Sequence, residues 1–329
     1  MKKKKQKTVS KVKKVFKIIG LVILGLIIAG LIFEQIAESI DKKTLKAPGQ
    51  MVQVGDHKMH IYCTGENING SPTVVLEEGG GSNFATWSNI QPELSKSTKV
   101  CSYDRSGWGF SEDSKNDRTV IEVVQELEQL LVNANVKGPY VLAGHSIGGY
   151  YIRVFASRHM DEVKGLVFID SSHENQSELI DQKVPFGDLI MGKIMEGVLY
   201  TAVKTGLARL IITIDPGYVG MPKENINYNR GLMLSRLYSK TNTKTDDMVA
   251  AFRSADKVKA ARNFKDIPIR VLTADSSVAD SGEWDWLAWQ KDLAMLSTNG
   301  TQTTVSNTSH FIATDQPQIV IDQILELIK

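Results

Sequence analysis

Tyr140-Val141-Leu142-Ala143-Gly144-His145-Ser146-Ile147-Gly148-Gly149 decides how this chain folds. The apolar run at its start reads as a buried strand. It ends in Gly144-His145-Ser146-Ile147-Gly148, which fits the G-x-S-x-G pattern of a nucleophile elbow. The residues that follow, Tyr150 to Ala156, are spaced as a helix. A serine hydroxyl is a weak nucleophile until a base takes its proton. A sharp strand-to-helix turn lifts it clear of the sheet and crowds the backbone, so glycine is needed on both sides. A Gly/Ser-rich loop is the competing reading of the five residues alone. The strand before them and the helix after them favour the elbow.

Further apolar runs lie on either side. Met51 to Val54 and Lys58 to Gly65 alternate as two strands joined at Gly55-Asp56. Pro72 to Glu78 reads as a buried strand running into Gly79-Gly80-Gly81-Ser82. Trp87 to Leu94 predicts a short amphipathic helix, and Thr98 to Asp104 another strand. Val120 to Val132 has helical periodicity, and Val163 to Asp170 is again a buried strand. Between Ser171 and about Lys265 only helical patterns are visible, as in Leu189 to Leu210 and Asp246 to Val258. Strand and helix then alternate again: Ile269 to Ala274, a tryptophan-rich helix, Thr301 to Ser306, and a closing helix from Pro317. Alternation of this kind predicts an α/β fold with a mostly parallel sheet and right-handed crossovers.

Composition narrows the function. The chain has 329 residues, 42% hydrophobic, enough for one large α/β domain with an insertion. Residues 1–17 hold nine lysines and no acid; with a total of +2, the remainder stands at −7. A mildly acidic folded part argues against nucleic-acid binding, which wants a basic face on the domain itself. The two cysteines, Cys63 and Cys101, make neither a disulfide scaffold nor a zinc site.

Ile18 to Phe33 is sixteen residues without a charge. Extended to residue 15, with Lys17 reaching outward, it approaches the ~20 residues that cross a bilayer. Lysines precede it and Glu34 and Glu38 follow. The positive-inside rule then puts residues 1–14 in the cytoplasm and the rest outside. A cleavable signal peptide would need a shorter apolar stretch and a small-x-small site, and neither is evident after Phe33. The expectation is a single-pass anchor over residues 15–33 that contacts the lipid bilayer, with 34–50 as a linker.

Four motifs in order give the chain a resemblance to the α/β-hydrolase superfamily. Val74-Val75-Leu76-Glu77-Glu78-Gly79-Gly80-Gly81-Ser82 resembles its strand and oxyanion loop, with Glu78 where a histidine is common. Tyr103-Asp104-Arg105-Ser106-Gly107-Trp108-Gly109-Phe110-Ser111 resembles its D-x-x-G-x-G-x-S turn. Gly144 to Gly149 is the elbow, and Ser309-His310-Phe311 with Asp315-Gln316-Pro317 resembles its histidine loop. The resemblance implies a hydrolase core over 51–170 and 266–329, with a helical cap over 171–265.

It also implies a site. Among six histidines only His310 comes last, as the Ser…acid…His order of the fold requires. The acid is left between Asp170, ending one strand, and Asp275, just after the next, with Asp170 favoured. Ser277 fills the place where the superfamily's acid usually falls. The oxyanion donors implied are the N–H groups of Gly80 and Ile147. His173 and Trp284 are pocket candidates against ordinary packing. Cys63 and Cys101 fall on strands that neighbour one another in this fold, so an extracytoplasmic domain would allow a disulfide there; two buried thiols are the alternative. The expectation is a serine hydrolase cleaving a small-molecule ester, less readily an amide, with no metal or organic cofactor. Two rivals are a cofactor-free haloperoxidase-like or C–C bond hydrolase, and a non-catalytic surface-anchored binding protein.

Overall fold

Buried parallel strands read as continuous apolar runs, and the computed structural model of the chain shows the sheet those runs predict. It describes residues 2–177, 194, 197–198, 200–214, 231, 249–280 and 285–329. Eight strands form one sheet: β1 Gln50–Val54, β2 His57–Thr64, β3 Thr73–Glu77, β4 Val100–Tyr103, β5 Tyr140–His145, β6 Val163–Ile169, β7 Ile269–Ala274 and β8 Gly300–Val305. Their order is β1-β2-β4-β3-β5-β6-β7-β8. The first hairpin pairs antiparallel with β4, and every later pairing is parallel.

Alternation along the central strands divides the interior into two cores. Val75, Leu142 and Phe168 point to one face of the sheet. Val74, Leu76, Val141, Ala143, Val167 and Ile169 point to the other. Helices α3 (Val120–Asn133) and α4 (Gly148–Arg158) cover the first face. In α3, Val120, Val123, Val124, Leu127, Leu130 and Leu131 form the buried stripe, and Thr119 caps its start by accepting from the Glu122 N–H. Trp87 and the C-terminal helix Pro317–Leu327 cover the second face. The expected helix over 87–94 is instead a 3-10 turn, Phe84–Asn89, and one helical turn, α2, Gln91–Leu94. Asn83 caps the 3-10 turn through the Ala85 N–H, and Pro92 in the first turn of α2 begins a new helix rather than continuing the old one.

The N-terminal helix α1 runs from Lys2 to Thr44, so residues 34–44 of the expected linker are helical. Its polar end is held from outside: Arg209 donates to Glu34 and Asp41 at 2.7 Å each. The stretch Lys13–Asp41 is long and apolar enough to cross a membrane, with a mean hydropathy of 2.8 over its most apolar 18 residues. In the insertion, helix α5 spans Leu207–Ile214 and helix α6 spans Ala255–Ala260, after a break at Ser254. Much of 171–265, including Leu189, lies outside the described residues.

Candidate active site

Strand β5 ends at His145 and α4 begins at Gly148, so Ser146 sits in the turn between them. Its φ is +53°, a left-handed conformation that a side-chain-bearing residue rarely adopts. The turn is crowded as the motif requires. A Cβ on Gly144 would lie 2.8 Å from the Gly148 carbonyl oxygen, and one on Gly148 would lie 2.6 Å from that of Glu78. The Ser146 N–H donates to the Ile169 carbonyl at 3.1 Å, which ties the elbow to β6.

Asp170 follows β6 directly, with φ +43°. It is fully buried and accepts four hydrogen bonds: from His310 Nδ1 at 2.6 Å, Ser277 Oγ at 2.5 Å, Trp286 Nε1 at 2.9 Å and the Ala274 N–H at 3.0 Å. Burial pushes its pKa up, but the donors from His310, Ser277 and Trp286 outweigh it and hold the carboxyl below the usual range. A carboxylate only accepts, so a His310 proton sits on Nδ1, which leaves Nε2 as the acceptor in the neutral tautomer. Asp275 is engaged elsewhere. Its oxygens accept from the N–H groups of Asn307 and Thr308 at 2.7 and 3.1 Å, bracing the loop that carries His310. Sequence reasoning gave Ser277 and Trp286 no role as donors to the acid.

A second clamp on the histidine loop comes from inside the elbow. His145 Nε2 donates to the His310 carbonyl oxygen at 2.9 Å, and the two rings lie 4.6 Å apart. Burial, with His310 beside it, lowers the His145 pKa to about 3, so the ring is neutral. Among the described residues Ser146 Oγ makes no hydrogen bond.

The loop from Glu78 to Gly80 is held by one cation. Arg105 donates from Nη1 to the Glu78 carbonyl and from Nη2 to the Gly79 carbonyl, both at 2.6 Å. In a trans peptide the N–H points opposite to the C=O. The Gly80 N–H is therefore aimed away from Arg105. Burial opposes the charge on Arg105, but Glu77, which it meets at 2.5 Å, raises its pKa. Tyr103 also donates to Glu77. Burial pushes Glu78, in the place of the common histidine, well above the usual carboxylate range.

A family model described as "alpha/beta hydrolase fold" matches residues 72–329. This chain belongs to the alpha/beta hydrolase fold family. Among curated proteins, this family member is 27% identical over 315 residues to an uncharacterised protein of Schizosaccharomyces pombe, covering 86% of this chain and 56% of that one. It spans about half or less of the length of the first curated relatives it matches. Among solved structures it resembles a candidate lipase of Acinetobacter baumannii AYE, with TM-score 0.62, 21% identity and coverage of 89% and 94% of the two chains. It also resembles the epoxide hydrolase CorEH, with TM-score 0.57, 20% identity and coverage of 84% and 97%.

Outside the elbow, the hydrolase fold carries a buried charge cluster around His173. This histidine is 3% exposed and stacks on Trp289. Its Nδ1 accepts from the Asn175 N–H and its Nε2 meets Asp292 at 3.0 Å. Both ring nitrogens are thus engaged within the cluster. Trp284, the other pocket candidate, lies outside the described residues. His173, Glu174 and Asp292 place ligand atoms within 4.8 Å of one another, a spacing that suits a metal ion. Two guanidinium groups occupy those carboxylates instead: Arg153 on Glu174 at 2.6 Å, and Arg262 on both Glu174 and Asp292 at 2.9 and 2.8 Å. The cluster ties α4 and the segment just after α6 to the helix α7, Trp286–Ala294. Cys63 and Cys101 are opposite one another across β2 and β4 and form a disulfide.

Proposed function

We propose that this protein is a membrane-anchored serine hydrolase that cleaves an ester through an acyl-enzyme on Ser146. The observation that carries the reading is the 2.6 Å bond from His310 Nδ1 to a buried, anionic Asp170, beside a serine held at φ +53°. With its proton fixed on Nδ1, His310 takes the Ser146 proton at Nε2 as Oγ attacks the ester carbonyl. The carbonyl oxygen becomes an oxyanion and accepts from the N–H groups of Ile147 and Gly80. The tetrahedral species collapses, the C–O bond breaks, and His310 returns its proton to the departing alcohol. Water then attacks the acyl-enzyme with His310 again as base, and the carboxylic acid leaves. Asp170 stabilises the imidazolium in both halves without itself taking the proton.

The anchor reading rests on the apolar, outward-facing stretch Lys13–Asp41 and on the lysines before it. It puts the N-terminus in the cytoplasm and the hydrolase domain outside. The Cys63–Cys101 disulfide agrees with that side, because structural disulfides persist in oxidising compartments.

The test is labelling of the full-length protein by a fluorophosphonate probe, with turnover of a p-nitrophenyl ester. Wild type should be labelled at Ser146 and turn over, and Ser146→Ala should do neither. A folded wild type that resists the probe is the result expected of a binding protein. Labelling without ester turnover would instead favour chemistry on another bond.

A further inference from the structure

Helix α5, Leu207–Ile214, is amphipathic with its apolar stripe facing outward. Leu207, Leu210, Ile211 and Ile214 fall at i, i+3, i+4 and i+7 on one face, and all four are exposed, Ile214 to 76%. Ala208 and Arg209 lie on the inner side. Ile194 and Val198, on the helical stretch before α5, are exposed too. In a water-facing helix this pattern is inverted, and contiguous exposed apolar surface marks an interaction face.

What covers the face follows from where it is fastened. The turn between the two helical stretches packs backbone to backbone against α1: a Cβ on Gly30 would lie 2.4 Å from the Thr205 carbonyl oxygen. At Gly206, whose φ is +75°, a Cβ would meet Glu34 Oε2 at 3.0 Å and the Phe33 ring at 3.2 Å. Arg209 then closes on Glu34 and Asp41, with Glu34 only 3% exposed. The apolar stripe therefore begins directly after a turn that packs on the exposed apolar surface of α1 at Gly30 and Phe33. Gly30 precedes Glu34 by four residues, roughly 6 Å along the helix axis. That depth, for the turn, lies within the ~5–10 Å at which interfacial amphipathic helices sit in the headgroup and acyl boundary, and α5 itself is fastened at the polar end of the span, through Arg209 to Glu34 and Asp41.

The same end of α1 leads to the catalytic site. Leu45, one residue beyond the helix, packs against Phe84 and Ala85, just after the oxyanion loop. The Phe84 N–H is held by Asp104 at 2.8 Å.

Building on the anchor reading above, we infer that α5 and the turn before it lie in the bilayer interface beside the span. The apolar stripe is seated in the leaflet on the Glu34 side, and the site draws from it an ester bearing a long acyl chain. The occupant is lipid, because the stripe begins directly after a turn packed on the span.

The test uses full-length protein reconstituted in phosphatidylcholine vesicles. Both native cysteines are bonded to each other, so single reporters can be placed by substitution. Three positions carry an environment-sensitive fluorophore: Leu24→Cys in the span, Ile211→Cys on the stripe, and Met295→Cys, which is 71% exposed on the hydrolase core. A reporter at 24 should be quenched by a deeply placed doxyl lipid, one at 211 by a shallow one, and one at 295 only by aqueous iodide. If 211 behaves like 295 while 24 is quenched by lipid, the inference fails and the anchor stands. If 24 also answers only to iodide, the anchor reading fails and takes the inference with it. A reporter at 211 shielded from both quenchers means that protein covers the stripe, which also overturns it. The substrate part has its own arm. Ile211→Ser with Ile214→Ser should lower turnover of a vesicle-resident palmitoyl ester about tenfold, the scale of two partly inserted isoleucines, and leave a soluble acetate ester unchanged. Equal rates on the palmitoyl ester for variant and wild type would overturn it.

Discussion

His145 and His310 are joined by a hydrogen bond from a ring nitrogen to a backbone carbonyl, at 2.9 Å, so the elbow itself holds the loop that carries His310. A carbonyl can only accept, which fixes the His145 proton on Nε2 and keeps the ring neutral. Acid stability depends on that neutrality. The folded pKa of His145 is about 3, lowered by burial and then by His310, against about 6.5 when unfolded. Between those values the unfolded chain binds a proton that the folded chain refuses. Stability from this group is therefore complete above pH 6.5 and declines as pH falls toward 3. His145→Asn should remove about 1.5 kcal/mol of the loss between pH 6.5 and 5, by integration of that linkage. Glu77 and Glu78, raised by burial, slope the other way but are present in both proteins. Urea unfolding of wild type and variant at the two pH values checks it; parallel declines would refute the assignment.

The two candidate acids separate by what their oxygens touch. Asp170 holds His310 Nδ1, whereas Asp275 holds the N–H groups of Asn307 and Thr308. Asp170→Asn offers His310 Nδ1 a donor or a neutral acceptor and loses the charge that stabilises the imidazolium. Its kcat should fall by about 10⁴, the loss seen when a template triad loses its carboxylate. Asp275→Asn should lower kcat by no more than about tenfold, since it removes bracing hydrogen bonds worth about 1 kcal/mol. Steady-state kinetics on a p-nitrophenyl ester decide it, and a larger loss for Asp275→Asn than for Asp170→Asn would reverse the assignment.

Most of the sheet was legible because its strands are buried on both faces and so read as apolar runs, from Thr73 to Glu77 and from Tyr140 to His145 alike. The elbow was legible because its glycines are demanded by contacts within a few residues or with the adjoining loop. The acid was not. Asp170 and Asp275 both lie at strand ends, and what separates them is the donor set of Ser277, Trp286 and His310, which lie 107, 116 and 140 residues from Asp170 along the chain. The helix beyond Phe33 escaped for a similar reason. Glu34 and Asp41 look like linker residues until Arg209, 175 and 168 residues away, is seen to neutralise them. His145 gave no sign of its role, because its partner is a backbone carbonyl that carries no sequence signal.

Under the proposed mechanism, Arg105 joins stability to catalysis. One guanidinium holds two consecutive carbonyls of the oxyanion loop and the buried Glu77, and lies over the Tyr151 ring. Arg105→Lys keeps the charge that Glu77 needs, so the protein should fold. A single ammonium cannot span both carbonyls in the planar fork that arginine supplies. The loop from Glu78 to Gly80 would then lose the constraint that aims the Gly80 N–H. Expected is a fall in kcat of about 10²-fold with KM little changed, the signature of a donor used in the transition state. A variant whose loss falls on KM alone would assign Arg105 to binding instead.

Cys63 and Cys101 close a loop across the antiparallel pairing of β2 and β4, 38 residues apart in sequence. Closing a loop of that length removes unfolded-state entropy worth about 4 kcal/mol on the chain-entropy account. Replacing both cysteines with serine should lower Tm by about 10 °C for a domain of this size. The bond lies between the first strands rather than at the elbow, so Ser146 labelling at 25 °C should persist in the variant. Alkylation of unreduced, denatured protein followed by mass measurement checks the bond directly: no thiol should react until a reductant is added. Two reactive thiols before reduction would remove the disulfide, and with it one of the two arguments that place the hydrolase domain in an oxidising compartment.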